Sequence, residues 1–244
     1  LTQAKNVTLT VFDGPHPAGN VGVQINNIAP INKGETVWTI DPQAVIFIGR
    51  LFNTGHVDLT RLVAVTGSEV KKPSYCKLKV GALLTNVFAG NVSTDKNLRY
   101  ISGNVLTANG FLGAFHSQVT VIPEGDDVHE MLGWIMPRFD QFSTSHSYFS
   151  WLMGKKEYTL DARVKGGERH MIMSNEYDRV LPMDIMPEYL IKAIIAGDID
   201  RMEALGIYEV APEDFALCEF VCSSKMELQR IVREGLDMLR REMC

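Results

Sequence analysis

Between Asp184 and Met243 the sequence starts and stops helices so often that little other structure fits there. Asp184 precedes a segment with Pro187 in its first turn and Gly197 at its end. Proline is preset for a first helical turn, and glycine takes the left-handed conformation that closes a helix. Asp198 is placed to cap a short helix ending at Gly206, and Pro212 opens a third. Ser224 and Glu227 have the spacing of a capping box, in which each side chain bonds the other residue's backbone N–H. Beyond them Leu228, Ile231, Val232, Leu236, Leu239 and Met243 recur at helical spacing and predict one buried stripe.

Upstream the pattern changes twice. Residues 1–62 read as mixed α/β, with strands predicted over Val7 to Phe12 and Val37 to Ile40. Between them Gly14-Pro15-His16-Pro17-Ala18-Gly19 is too rich in glycine and proline for helix or strand. Asp41-Pro42 starts a helix that runs through Ile46 and Leu51 and stops at Gly55. Residues 63–122 read as mainly β. Strands are predicted over Arg61 to Gly67, Cys76 to Gly81 and Val119 to Pro123, and a loop over Val87 to Asp95. Residues 123–244 begin irregularly, with aromatics at Trp134, Phe139, Phe142, Tyr148, Phe149 and Trp151 expected to pack on other elements, and then become helical. The fold class is α+β.

Composition excludes several functions. A net charge of −5 without a basic block leaves no footprint for nucleic acid and weakly repels anionic lipid. No apolar run approaches the roughly 20 residues that span a bilayer. The densest run, Tyr189 to Ala196, is interrupted by Lys192. No signal-peptide pattern is read, and the opening at Leu1, close to a strand-like run, reads as a chain that begins inside a domain. Cys76, Cys218, Cys222 and Cys244 are too few and too unevenly spread for a disulfide framework, so a reducing compartment fits better.

The parts of a self-sufficient enzyme are missing from the pattern. The glycines from Gly14 to Gly22 lack dinucleotide-loop spacing and two prolines remove N–H donors, so a shaped turn is favoured over a phosphate cradle. The six histidines share no helix-face spacing. Cys218 and Cys222 sit at i and i+4, but two thiols complete neither a tetrahedral nor an iron–sulfur site, and packing is favoured. Ser143, Ser145 and His146 lack the context of a nucleophile, as does the Gly166-Gly167-Glu168-Arg169-His170 run. The aromatics from Trp134 to Trp151 suit a stacked ring in principle, but core packing is favoured. No catalytic residue and no metal ligand is therefore assigned.

Several longer runs carry a resemblance. They are Gly14 to Gly19, Val37-Trp38, Pro42-Gln43, Ile48 to Phe52, Ile101 to Leu106, Gly133 to Pro137, Leu181 to Pro187, Glu213 to Cys218 and Val221-Cys222. Together, and in order along the whole chain, they resemble the C-terminal half of the NqrA family, the A subunits of the sodium-translocating NADH:quinone oxidoreductase. That resemblance implies a subunit on the cytoplasmic face of the bacterial inner membrane, peripheral and held by partner subunits. It implies a translocase that oxidises NADH, reduces quinone and exports Na⁺, with FAD, FMN and iron–sulfur centres in other subunits and none in this chain. By the same resemblance residues 1–62 are the C-terminal part of a Rossmann-like domain. Residues 63–122 are a β-grasp domain of the soluble-ligand-binding (SLBB) type, and residues 123–244 a helical domain lacking an iron–sulfur cluster.

The resemblance also implies a part in quinone binding. The loop Gly14, Pro15, His16, Pro17, Ala18 and Gly19 is the candidate, either contacting quinone or docking a neighbour. Ligands of open α/β sheets bind beyond the carboxyl ends of strands. The isolated chain is not expected to be catalytic. The alternative is a soluble ligand-binding β-grasp module outside any redox complex. It requires only residues 63–122.

Overall fold

The computed structural model describes residues 5–93, 95–106, 111–126, 132–143, 146–154 and 156–243, with the backbone alone of Trp134. His129, Thr144, Ser145 and Cys244 lie outside the described residues. The helices are α1 (Val21–Ile28), α2 (Pro42–Thr54), α3 (Leu84–Val87), α4 (Pro187–Ala196), α5 (Ile199–Ala204), α6 (Ala216–Val221) and α7 (Leu228–Glu242). The strands are β1 (Thr60–Thr66), β2 (Ser74–Lys79), β3 (Leu98–Ser102) and β4 (Gln118–Pro123). The chain is thus α+β. It forms two compact units, Leu1–Thr39 with Gly166–Cys244, and Ile40–Lys165.

The second unit is built on one mixed sheet in the order β2-β1-β4-β3. β1 runs antiparallel to β2 and parallel to β4, and β3 runs antiparallel to β4. Alternation along β1 buries Arg61, Val63 and Val65 and turns Leu62 outward. Val63, Val65, Leu84, Phe88, Val119 and Val121 make the core under this sheet. Gly67 closes β1 at φ +123°, where an added Cβ would lie 2.1 Å from the Val121 carbonyl oxygen, so glycine is required. The strands predicted around Val63, Leu78 and Val121 are present. β3 and α3 carried no legible signal.

In the same unit α2 has the ends that its sequence predicts. Asp41 accepts a hydrogen bond from the Gln43 N–H (3.2 Å), and Gly55 closes the helix at φ 71°. The predicted strands over residues 7–12 and 37–40 do not form. A period-two apolar pattern becomes a strand only beside another strand, and Val11, at the edge of the first run, is 80% exposed.

The first unit packs α1 and α4–α7 around Leu190, Ile191, Met202, Phe215, Leu228 and Val232. Asp198 caps α5 by accepting from the Arg201 N–H (3.1 Å), as predicted. The capping box does not form. Ser224 Oγ instead donates to the His170 carbonyl (3.0 Å), and α7 starts at Leu228. The α7 stripe buries Leu228, Ile231, Val232 and Leu239, whereas Met243 at its end stays exposed. Gly22 lets α1 close on Asp214; an added Cβ there would lie 2.1 Å from its carboxylate.

The described residues between 125 and 180 are irregular, as predicted, apart from 3-10 turns over Gly133–Ile135 and Phe149–Met153. Core packing of their aromatics is not what the structure shows. Phe139 and Phe149 pair at 6.2 Å and His146 stacks on Trp151 at 5.7 Å, yet Trp151 remains 50% exposed. Phe139, Phe142 and Phe149 are exposed as well, so the rings cover one another only in part.

Candidate functional site

The loop from Gly14 to Gly19 folds as consecutive turns leading into α1. Ala18 N–H donates to the Pro15 carbonyl (3.0 Å), Asn20 N–H to that of Pro17 (2.8 Å), and the Gln24 side-chain amide to that of Ala18 (3.3 Å). Gly14 sits at φ 148°, a region that disfavours side chains, while Gly19 has open space around it. Pro17 is buried and anchors the loop, and His16 is exposed. Among the described residues no hydrogen bond engages its imidazole. The loop therefore offers one ring donor or acceptor on a stiff frame.

The buried thiols belong to the first unit's core. Cys218 and Cys222 are buried beside Phe215. Burial pushes the Cys218 thiol up to about 12. Cys222 Sγ lies 3.0 Å from the Tyr177 hydroxyl, whose pKa is raised well above the phenol range, first by burial and then by that hydrogen bond. A thiol that holds its proton this firmly is a packing group, since the thiolate is the metal-binding and nucleophilic form. Among the described residues no group of three or more His, Cys, Asp or Glu is placed to hold a metal ion.

A serine–histidine contact in the second unit carried no signal in the sequence. Ser102 Oγ accepts from the Gly113 N–H (2.9 Å) and lies 2.7 Å from His116 Nδ1. The hydroxyl has a second lone pair as well as its proton, so which of Ser102 Oγ and His116 Nδ1 donates follows from the ring's tautomer. Burial first, then the nearby Arg61 charge, hold the His116 pKa below its usual value. Ser102 is buried completely, so it positions the 113–116 loop and is closed to substrate.

The same unit holds a groove of about 510 Å³ between α2 and the outer face of β1 and β2. Gln43, Ile46, Leu62, Tyr75 and Lys77 are among its lining residues. Leu62 and Ala64 line it from the face of β1 opposite Val63 and Val65, a face that the sequence did not single out.

Residues 1–57 match the family model described as the NqrA second alpha/beta domain, and residues 62–109 match the model of the NQRA C-terminal domain of soluble-ligand-binding type. The Na(+)-translocating NADH-quinone reductase A subunit of Neisseria meningitidis serogroup C is 40% identical across 98% of this chain and 54% of its own length. The protein of the same name from Serratia proteamaculans is 40% identical across 97% of this chain and 54% of its own length. That from Yersinia pestis bv. Antiqua is 38% identical over the same shares. The chain spans about half the length of the curated relatives it matches. With likeness running through both compact units, the chain belongs to the NqrA family, the A subunits of Na(+)-translocating NADH-quinone reductase.

Proposed function

We propose that this chain works as part of a peripheral subunit of a sodium-translocating NADH:quinone reductase on the cytoplasmic face of the bacterial inner membrane. The observation that carries the reading is the 40% identity across 98% of the chain to a protein of that name. Among the described residues no helix is long and apolar enough to cross a membrane, which suits attachment through partner subunits. In this reading the chain holds no redox cofactor of its own. NADH, FAD, FMN, iron–sulfur centres and quinone are handled in or near other subunits. Likeness across both units weighs against a free-standing β-grasp ligand module, which would need residues 63–122 alone.

The 14–19 loop contributes in one of two ways, by meeting the quinone headgroup through His16 or by docking a neighbouring subunit. The exposed ring on a buried proline anchor suits either. An affinity-tagged copy in the native membrane tests the assembly. It should co-purify with flavin-bearing subunits and with Na⁺-stimulated quinone reductase activity, and purification alone and inactive would refute the proposal. His16→Ala in that complex separates the two roles. A raised quinone KM with normal assembly assigns quinone contact, and lost assembly assigns docking. Unchanged assembly and kinetics remove His16 from both.

A further inference from the structure

Helix α2 is fastened to the sheet by polar groups and leaves its apolar side chains uncovered. At its start Asp41 accepts from the Arg61 guanidinium (2.8 Å). The Gln43 amide bonds both the N–H (3.0 Å) and the carbonyl (3.1 Å) of Leu62, as a neighbouring strand would. One turn before its end Arg50 donates to the Thr60 carbonyl (2.7 Å) and to Asp58 (3.1 Å). Between these fastenings no residue of α2 is buried. The space left is the groove of about 510 Å³, inside the roughly 300–1,000 Å³ range of small-molecule sites.

Its lining has a definite chemistry. Ile46, Phe47, Leu62 and Ala64 give an apolar wall, and Tyr75 stands across the sheet from Ala64. The charged lining residues are Arg50, Arg61 and Lys77, with no aspartate or glutamate among them. Asp58 offsets Arg50, and Asp41 offsets the buried Arg61. Lys77 has no ion-pair partner among the described residues. It lies directly opposite Leu62 in the strand register, so one uncompensated ammonium sits beside the apolar strip. In a chain of net charge −5 this is a local reversal of sign.

We infer that the groove between α2 and the β1–β2 face binds a small amphipathic anion, with its apolar body along Ile46 and Leu62 and its single acidic group at Lys77. The inference does not depend on the assembly proposed above. A neutral ligand of the same shape would leave the ammonium without its counter-charge, and a cation would meet it with like charge.

Octanoate and 1-octanol, titrated into the isotope-labelled chain and followed by amide chemical shifts, are the probes. Octanoate should bind saturably, shift the amides of Ile46, Leu62 and Lys77, and bind at least about fivefold more tightly than octanol, the worth of one part-exposed ion pair. Lys77→Gln should erase that preference. Ala64→Trp, which fills the groove from the sheet side, should abolish binding of both. Equal affinities of the two probes, shifts confined to residues 132–153, or a Lys77→Gln chain that keeps its preference for octanoate would each overturn the inference. Binding of octanoate only when it is presented in acidic phospholipid vesicles would overturn it as well.

Discussion

Helices α2 and α7 are similar in length and have opposite fates. α7 turns Leu228, Val232 and Leu239 into a core and leaves its charges outside. α2 is capped at both ends by Asp41 and Gly55, yet buries none of its residues, and Phe52 is 85% exposed. The lesson is that helix ends are a local matter, decided by which side chains satisfy free N–H and carbonyl groups. Burial is a matter of what else arrives. α2 is held by hydrogen bonds and by the ion pair of Asp41 with the buried Arg61, and α7 by apolar area.

That contrast breaks first under truncation. Leu228→Ala should cost about 2–5 kcal/mol, because a fully enclosed side chain leaves both lost burial and a cavity. Ile46→Ala on α2 should stay within about 0.5 kcal/mol. Urea unfolding of the two variants checks both, and equal losses would end the comparison.

The fastening of α2 is the next test. Asp41→Ala removes the helix cap and leaves the buried Arg61 without its carboxylate. A loss of about 2–3 kcal/mol is expected, below the full value for a buried pair because Asp41 is partly exposed. Asp41→Asn, which keeps a capping oxygen, should recover about 0.5–1 kcal/mol of it. If Asp41→Ala is as mild as Ile46→Ala, the polar fastening is not what holds the helix.

A smaller effect belongs to the thiols. Replacing Cys218 and Cys222 together by Ala should cost about 1–2 kcal/mol through lost packing and leave the fold intact. With Cys244 replaced by Ser, a thiol-reactive dye should label Cys76 well before either core thiol. Cys76 is half-buried, and the other two are enclosed. Rapid labelling of all three would contradict the packing described for α6.

The smallest effect is a pH slope in the sheet unit. His116 is held neutral by burial and by Arg61, so its folded pKa lies below the unfolded value, about 6.5. The stability this gives is fully present above about pH 6.5 and is lost as the pH falls from there toward the folded pKa. His116→Gln should flatten that slope between about pH 6.5 and 5. An unchanged slope would show that another group carries it.

Much of the fold was legible where the chain consults only its neighbours. Asp41 and Gly55, Gly197, and Asp198 mark helix ends in the structure as they do in the sequence. The short strands at Val63, Leu78 and Val121 were legible because each belongs to a short run that ends at a glycine or proline. The runs shared with the family, read in order, were enough to place the chain in it.

What escaped the sequence depends on groups far apart in it. Ser224 has the spacing of a cap but gives its hydroxyl to His170, 54 residues away. Val7 to Phe12 has a strand pattern but no strand beside it. β3 was invisible until β4 paired with it, and the parallel pairing of β1 with β4 joins segments more than 50 residues apart. The groove at Lys77 exists only because α2 is fastened above a sheet face that no periodicity could assign to an inside or an outside. Caps and turns are settled by atoms within a few residues of each other. Register, burial and the company of a charged side chain are settled by free-energy differences between whole packed arrangements, which no local window contains.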